Sequence, residues 1–112
     1  LEIYAITKAF PRDEVYALTS QLRRAAVSVA SNIAEGSERK SDREFVRFLR
    51  IASASLAEIE TQLYIALKLG YMTQESYDTF LDASAENGKM LNGLISKLEE
   101  QSSGDWRLAT GD

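Results

Sequence analysis

Arg43, Arg47 and Arg50 are spaced i, i+4 and i+7, and Arg39 and Lys40 stand just before them. On a helix this spacing lines three guanidinium groups along one face. A row of guanidinium groups is suited to phosphate oxygens, so these five residues are candidate nucleic-acid contacts. The plainer account is a solvated face laced with local pairs such as Glu44 to Arg47. A second pattern is polar and uncharged for most of its length. Arg24, Ser28 and Asn32 fall in single file four residues apart, flanked by Gln21 and Glu35, and Ser55, Glu58 and Gln62 form a similar file further on. If the two segments pair antiparallel about a loop near Arg39, Arg24 comes close to Ser55 and Glu58. An Arg24–Glu58 bond would then be bidentate and partly buried, fixing register more than adding stability.

Catalysis finds little support in the residue types. The chain has no Cys and no His, which removes thiolate chemistry, the commonest general base and the commonest transition-metal ligand. Ser28 has no imidazole to activate it. A ferritin-like di-metal centre needs Glu-x-x-His pairs, and Glu58 and Glu60 lie about 160° apart on a helix, so they cannot chelate one ion together. No glycine-rich phosphate loop is present. The expectation is therefore no enzyme, no metal and no cofactor.

The elements that must carry these side chains are helical. One Pro and six Gly punctuate 112 residues, and apolar residues step by threes and fours between them. Ile3, Ile6 and Phe10 mark a first, partial helix that Pro11 stops. Pro11 also suits the opening of the second, with Asp13 and Glu14 in its first turn. Its seam is Val15, Leu18, Leu22, Ala25, Val29 and Ile33, after which Gly36 and the run SERK loosen the chain. Ser41 with Glu44 reads as a capping box opening the third helix, with seam Phe45, Phe48, Ala52, Leu56, Ile59, Leu63 and Ala66. Gly70 is its left-handed cap. Thr73 opens the fourth, with seam Tyr77, Leu81, Ser84, Gly88, Leu91, Ile95 and Leu98, where Ser84 and Gly88 permit close approach. Packing accounts for Tyr64, Tyr71 and Tyr77. These elements make an all-α, antiparallel up-down-up-down four-helix bundle over residues 1–100, its first helix truncated at the N-terminus. Residues 101–112, QSSGDWRLATGD, read as a loop-like C-terminal tail in which Trp106 and Leu108 must pack on something.

The second helix is apolar on more than one side. Beyond its seam, Tyr16, Val27, Ala30 and Ala34 gather on a second side at 100° per residue. A bundle buries one side of each helix, so this second side is a candidate oligomer interface whose small side chains let a partner come close.

Charge and composition set the broad class. Residues 1–50 carry nine Lys and Arg against seven Asp and Glu, and residues 51–112 carry four against ten. Any basic surface therefore lies in the first half, and the last helix is acidic. No run approaches the roughly 18 apolar residues of a membrane span, and the absence of Cys fits a reducing compartment. The expectation is a cytoplasmic protein with no membrane partner. Leu1 begins in mid-pattern, so further residues are expected upstream.

The segment FPRDEVYALTSQLRRAAVSVASNIAEGSERKSDREFVRFLRIASASLAEIETQL resembles the four-helix bundle proteins called the 23S rRNA intervening-sequence protein family. The likeness continues through LKLGYMT and GKMLNGLISKLEE. Ala30 is a departure, since the family often has Pro there, and its absence removes a kink. The resemblance implies a left-handed antiparallel bundle assembled as a homopentamer, without enzymatic activity, and with about two further helical turns before LEIYAITKAFP. A more distant likeness, at the level of fold, is to the accessory variability protein of diversity-generating retroelements, which works with a reverse transcriptase and nucleic acid. The expected function is an oligomeric binding module for RNA, DNA or a nucleic-acid-handling protein. The alternative is a purely structural homo-oligomeric scaffold for a protein partner.

Overall fold

Four helices account for nearly all of the described backbone: α1 (Glu2–Thr7), α2 (Leu18–Ser37), α3 (Asp42–Lys68) and α4 (Gln74–Thr110), with one 3-10 turn at Arg12–Glu14. The computed structural model describes the backbone of residues 2–14 and 17–110 and the side chains of residues 2–13 and 17–101. Among these there is no strand, so the chain has an all-α four-helix fold.

The helix ends follow local chemistry. Ser41 holds an extended backbone, and its Oγ accepts the Glu44 N–H at 3.2 Å. Only half of the capping box forms, because the Glu44 carboxylate turns instead to Arg47, 3.9 Å away. At the other end of α3, Gly70 takes φ +81°. The Tyr71 N–H then reaches Ala66 O at 2.9 Å and the Gly70 N–H reaches Leu67 O at 3.0 Å, which satisfies two carbonyls the helix would leave open. Thr73 caps α4 through Oγ1, which accepts the Ser76 N–H at 3.1 Å.

Helix α2 opens at Leu18 rather than at Pro11. The amides of Ala9 and Phe10 turn back onto Ile6 and Thr7, and this turn delivers Phe10 into the core against the Tyr71 ring, 5.5 Å between centroids. After Pro11 the chain makes a 3-10 turn at Arg12–Glu14 and not an α-helix. Ala17 stands at the N-cap with no side-chain hydrogen bond. Val15 and Tyr16, placed on α2 by the sequence, lie outside the described residues.

Contacts along the helices give their directions. Gln21 meets Gln62, Ser28 meets Ser55 and Gly36 meets Phe48, so α2 and α3 run antiparallel. Tyr64 meets Tyr77, Glu60 meets Ser84 and Arg50 meets Glu99, so α3 and α4 do too. Helix α3 is the shared element: α2 and α4 each pack closely on it, and they approach each other far less. The short α1 rests on α2, where Arg23 Nε donates to Thr7 Oγ1 at 2.9 Å and its guanidinium covers the Tyr4 ring.

The core has two clusters. Ile3, Phe10, Leu22, Ala25, Ile59, Leu63, Ala66 and Phe80 pack at the end that carries α1. Val46, Leu49, Leu91, Ile95 and Leu98 pack at the other. The expected seams hold for most positions, with a shift at the start of α3. There Val46 and Leu49 are buried, while Phe45 and Phe48 are only half-buried. The phenylalanines lean on Gly36 instead, which sits buried in the last turn of α2. Gly36 therefore does not loosen the chain; it is a packing position inside a helix.

Two other expectations change. A side chain at Gly88 would meet nothing within 4 Å, so Gly88 makes no close approach within the chain, whereas Ser84 is buried and donates to Glu60. The segment expected to be a tail from residue 101 is helical to Thr110. Glu99, two residues before it, stands opposite Arg50 of α3. The side chains of Trp106 and Leu108 lie outside the described residues.

No described helix is long and apolar enough to cross a membrane.

Candidate functional site

Helix α3 supplies the basic row. Arg43, Arg47 and Arg50 line a shallow surface groove of ≈ 530 Å³ together with Val46, Ile51 and Ala54. The groove joins cationic rims to an apolar floor, a combination the sequence reading did not include. Val46 is the residue that makes this possible, since the shifted seam brings it to the base of the arginine row.

The arginines are held rather than free. Arg39 pairs with Glu35 at 3.5 Å and covers the Phe48 ring, 4.8 Å from its centroid. Arg47 covers the same ring at 5.6 Å while pairing with Glu44. Phe48 thus organises two cations, a role legible only once the ring is seen half-exposed between them. Arg50 is bonded to Glu99 of α4, and Arg43 also has a partner. These ion pairs are largely exposed, with the Arg47 side chain 68% accessible, and pairs of that kind contribute about 0–1 kcal/mol each. A polyanion can displace the carboxylates at little cost. Lys40 is exposed in the loop before α3.

The polar file on α2 meets its counterpart on α3. Ser28 and Ser55 share a hydroxyl–hydroxyl bond of 2.9 Å, and Asn32 Nδ2 donates to the Ser28 carbonyl at 2.8 Å and to its Oγ at 3.0 Å. Gln62, which shares the α3 file with Ser55 and Glu58 but lies outside the expected network, is a central member. Its Nε2 donates to Glu58 Oε1 at 3.0 Å and to Gln21 Oε1 at 3.4 Å. The expected Arg24–Glu58 ion pair is not formed, since among the described residues no carboxylate lies within 4.0 Å of Arg24. The two residues nonetheless line one cleft of ≈ 190 Å³ with Gln21, Ala25, Ser28 and Ser55. Glu58 is occupied by the Gln62 amide instead. Glu35 also leaves the network, being exposed and paired with Arg39.

The second apolar side of α2 is open. Val27 is 51% exposed, and Ala30 and Ala34 are exposed beside it. Tyr16 lies outside the described residues. Across the α2–α3 groove, Ile51 and Ile65 of α3 are exposed as well. Among the described residues no three carboxylates gather where they could hold a metal ion.

The family model described as 23S rRNA-intervening sequence protein matches residues 1–93. The chain belongs to that family. The segments that carry the resemblance from Phe10 through α3 and LKLGYMT lie within the matched range, and of GKMLNGLISKLEE the match covers Gly88–Gly93. No curated protein matches the chain. In this 23S rRNA-intervening sequence protein, the arginine groove, the polar cleft and the open face of α2 all fall inside the region shared with the family.

Proposed function

We propose that the chain is a non-enzymatic, homo-oligomeric helical-bundle protein of the cytoplasm that binds RNA or DNA, or a protein that handles them. The observation that carries this reading is the groove on α3, where Arg43, Arg47 and Arg50 rim an apolar floor, with Arg39 and Lys40 at its head. The family's name refers to ribosomal RNA, but the reading rests on the groove. The hydroxyls of Ser28 and Ser55 engage each other rather than a base, in keeping with a binding role.

One copy offers too few cations for tight binding, and acidic α4 lies alongside. A ring of copies, a homopentamer by the family likeness, repeats the stripe and turns weak contacts into avidity. The contacts are to phosphates and weaken steeply with salt. Titrating labelled RNA and duplex DNA at roughly 50 and 200 mM salt tests this. Wild type binds at the lower salt, and a variant with Arg43, Arg47 and Arg50 all changed to Glu does not. If wild type fails to bind, or the variant binds equally, the stripe is only a solvated face. The second reading, a structural scaffold for a protein partner, then takes over. It is favoured by the open apolar positions Val27, Ile51 and Ile65.

A further inference from the structure

The cleft between α2 and α3 begins one residue beyond Ala54, where the arginine groove ends. Its chemistry differs from that of the groove. Arg24 and Glu58 both line it, yet among the described residues Arg24 has no carboxylate within 4.0 Å and Glu58 is bonded only to the Gln62 amide. Beneath them the Ser28–Ser55 hydroxyl pair is fixed by Asn32. Gln62 is 7% exposed, and its Oε1 has no hydrogen-bond partner although its Nε2 is engaged. An orphaned buried acceptor is uncommon in a folded protein and calls for an explanation. Gln62 stands behind the Glu58 carboxylate and does not itself line the cleft, whose charged walls, Arg24 and Glu58, are both exposed.

The charges restrict what can enter. A simple anion would face Glu58, and a simple cation would face Arg24. A neutral group that presents an acceptor beside donors satisfies both residues. The volume of ≈ 190 Å³ is well below the roughly 300–1,000 Å³ of drug-sized pockets, the scale of one ring system.

We infer that this cleft receives one unpaired guanine base of a single-stranded RNA whose phosphates lie along the α3 arginines. Guanine alone among the RNA bases sets two adjacent N–H donors, N1–H and the N2 amine, beside a carbonyl on its Watson–Crick edge. The two Glu58 oxygens accept from the donors, and Arg24 donates to the carbonyl. Uracil and cytosine each offer a single donor group there, and adenine lacks the carbonyl. Reading an unstacked base by this edge is the usual route to sequence preference in single strands. Arg47 and Glu58 are eleven residues apart, about three helical turns and about 16 Å along the helix, so phosphate contacts and base contact fall on one face. The inference rests on the nucleic-acid reading above and adds a base preference to it.

The test uses the full chain and three labelled strands at low salt: a short oligouridine, the same strand with one central guanosine, and the same with inosine at that position. Guanosine tightens binding roughly tenfold, and inosine, which lacks the N2 amine, loses most of that gain. In the E58Q variant the guanosine preference disappears while oligouridine affinity stays the same, because an amide sets a donor against the donors of guanine. If guanosine and uridine strands bind alike, or E58Q keeps the preference, the cleft does not read guanine although the phosphate reading survives. If no strand binds, both readings fall together. If E58Q instead changes the mass of the oligomer, the cleft holds a side chain of a second copy and the inference is overturned.

Discussion

A Cβ added at Gly36 would stand 2.7 Å from Phe48 Cβ and 2.9 Å from Phe45 Cδ1. Phe48 Cβ is anchored to its backbone, so α2 and α3 would have to move apart. Overpacking of this kind costs about 1–3 kcal/mol, against a helix-propensity gain of about 1 kcal/mol for Ala over Gly. Packing wins, and Gly36→Ala is expected to lower the urea midpoint. Gly88→Ala is expected to raise it, with a stability gain of up to about 1 kcal/mol, because open space surrounds that position and only propensity acts. A destabilised Gly88→Ala would mean that Gly88 faces a second copy. The contrast shows what the sequence conceals, since both glycines break an apolar period in the same way. Arg24 is a similar lesson. Spacing placed it beside Glu58 correctly, but which carboxylate pairs with which donor depends on ångström-scale offsets between helices. With no pair formed, Arg24→Ala is expected to change stability by less than about 1 kcal/mol in thermal melts. A loss of several kcal/mol would reinstate a buried ion pair.

The elements were the most legible level. Ser41, Gly70 and Thr73 announced their roles because a cap is chemistry local to one turn; all three cap their helices, although Glu44 does not complete the box with Ser41. Ser41→Ala removes the bond to the Glu44 amide and is expected to cost about 0.5–2 kcal/mol. Gly70→Ala forces a Cβ into a left-handed conformation, at about 1–2 kcal/mol, although the space around it is empty. Circular dichroism melts of the two variants check both, and a Gly70→Ala protein as stable as wild type would show that the α3 terminus is not under this constraint. The ends of α2 and α4 were less legible. Gln101–Thr110 contains Ser, Ser, Gly and Asp, weak helix formers, so composition reads as a tail although the backbone is helical to Thr110. The start of α2 was misplaced because Pro11 suits a helix opening equally well whether or not Phe10 must turn into the core.

At the scale of the whole molecule, α2 presents an apolar face that the chain itself leaves uncovered. If a ring of copies covers it, sedimentation at micromolar concentration gives a multiple of the 12.5 kDa chain mass. Val27→Glu or Ala30→Arg then dissociates the ring with helix content unchanged. A wild-type monomer at that concentration removes the oligomer from the reading and leaves the α3 stripe without avidity. The place of α3 between its two neighbours bears also on how the chain reaches this structure. Each long helix packs chiefly on the one next to it in sequence, so most of the closures that must form are short and their entropic cost is modest. Low contact order of this kind belongs to chains that fold in microseconds to milliseconds. The two hairpins share α3, and whichever forms first gives the other a finished surface on which to dock. An early lesion in α3 is therefore felt by both hairpins, whereas one in α2 or α4 still leaves the opposite hairpin able to form.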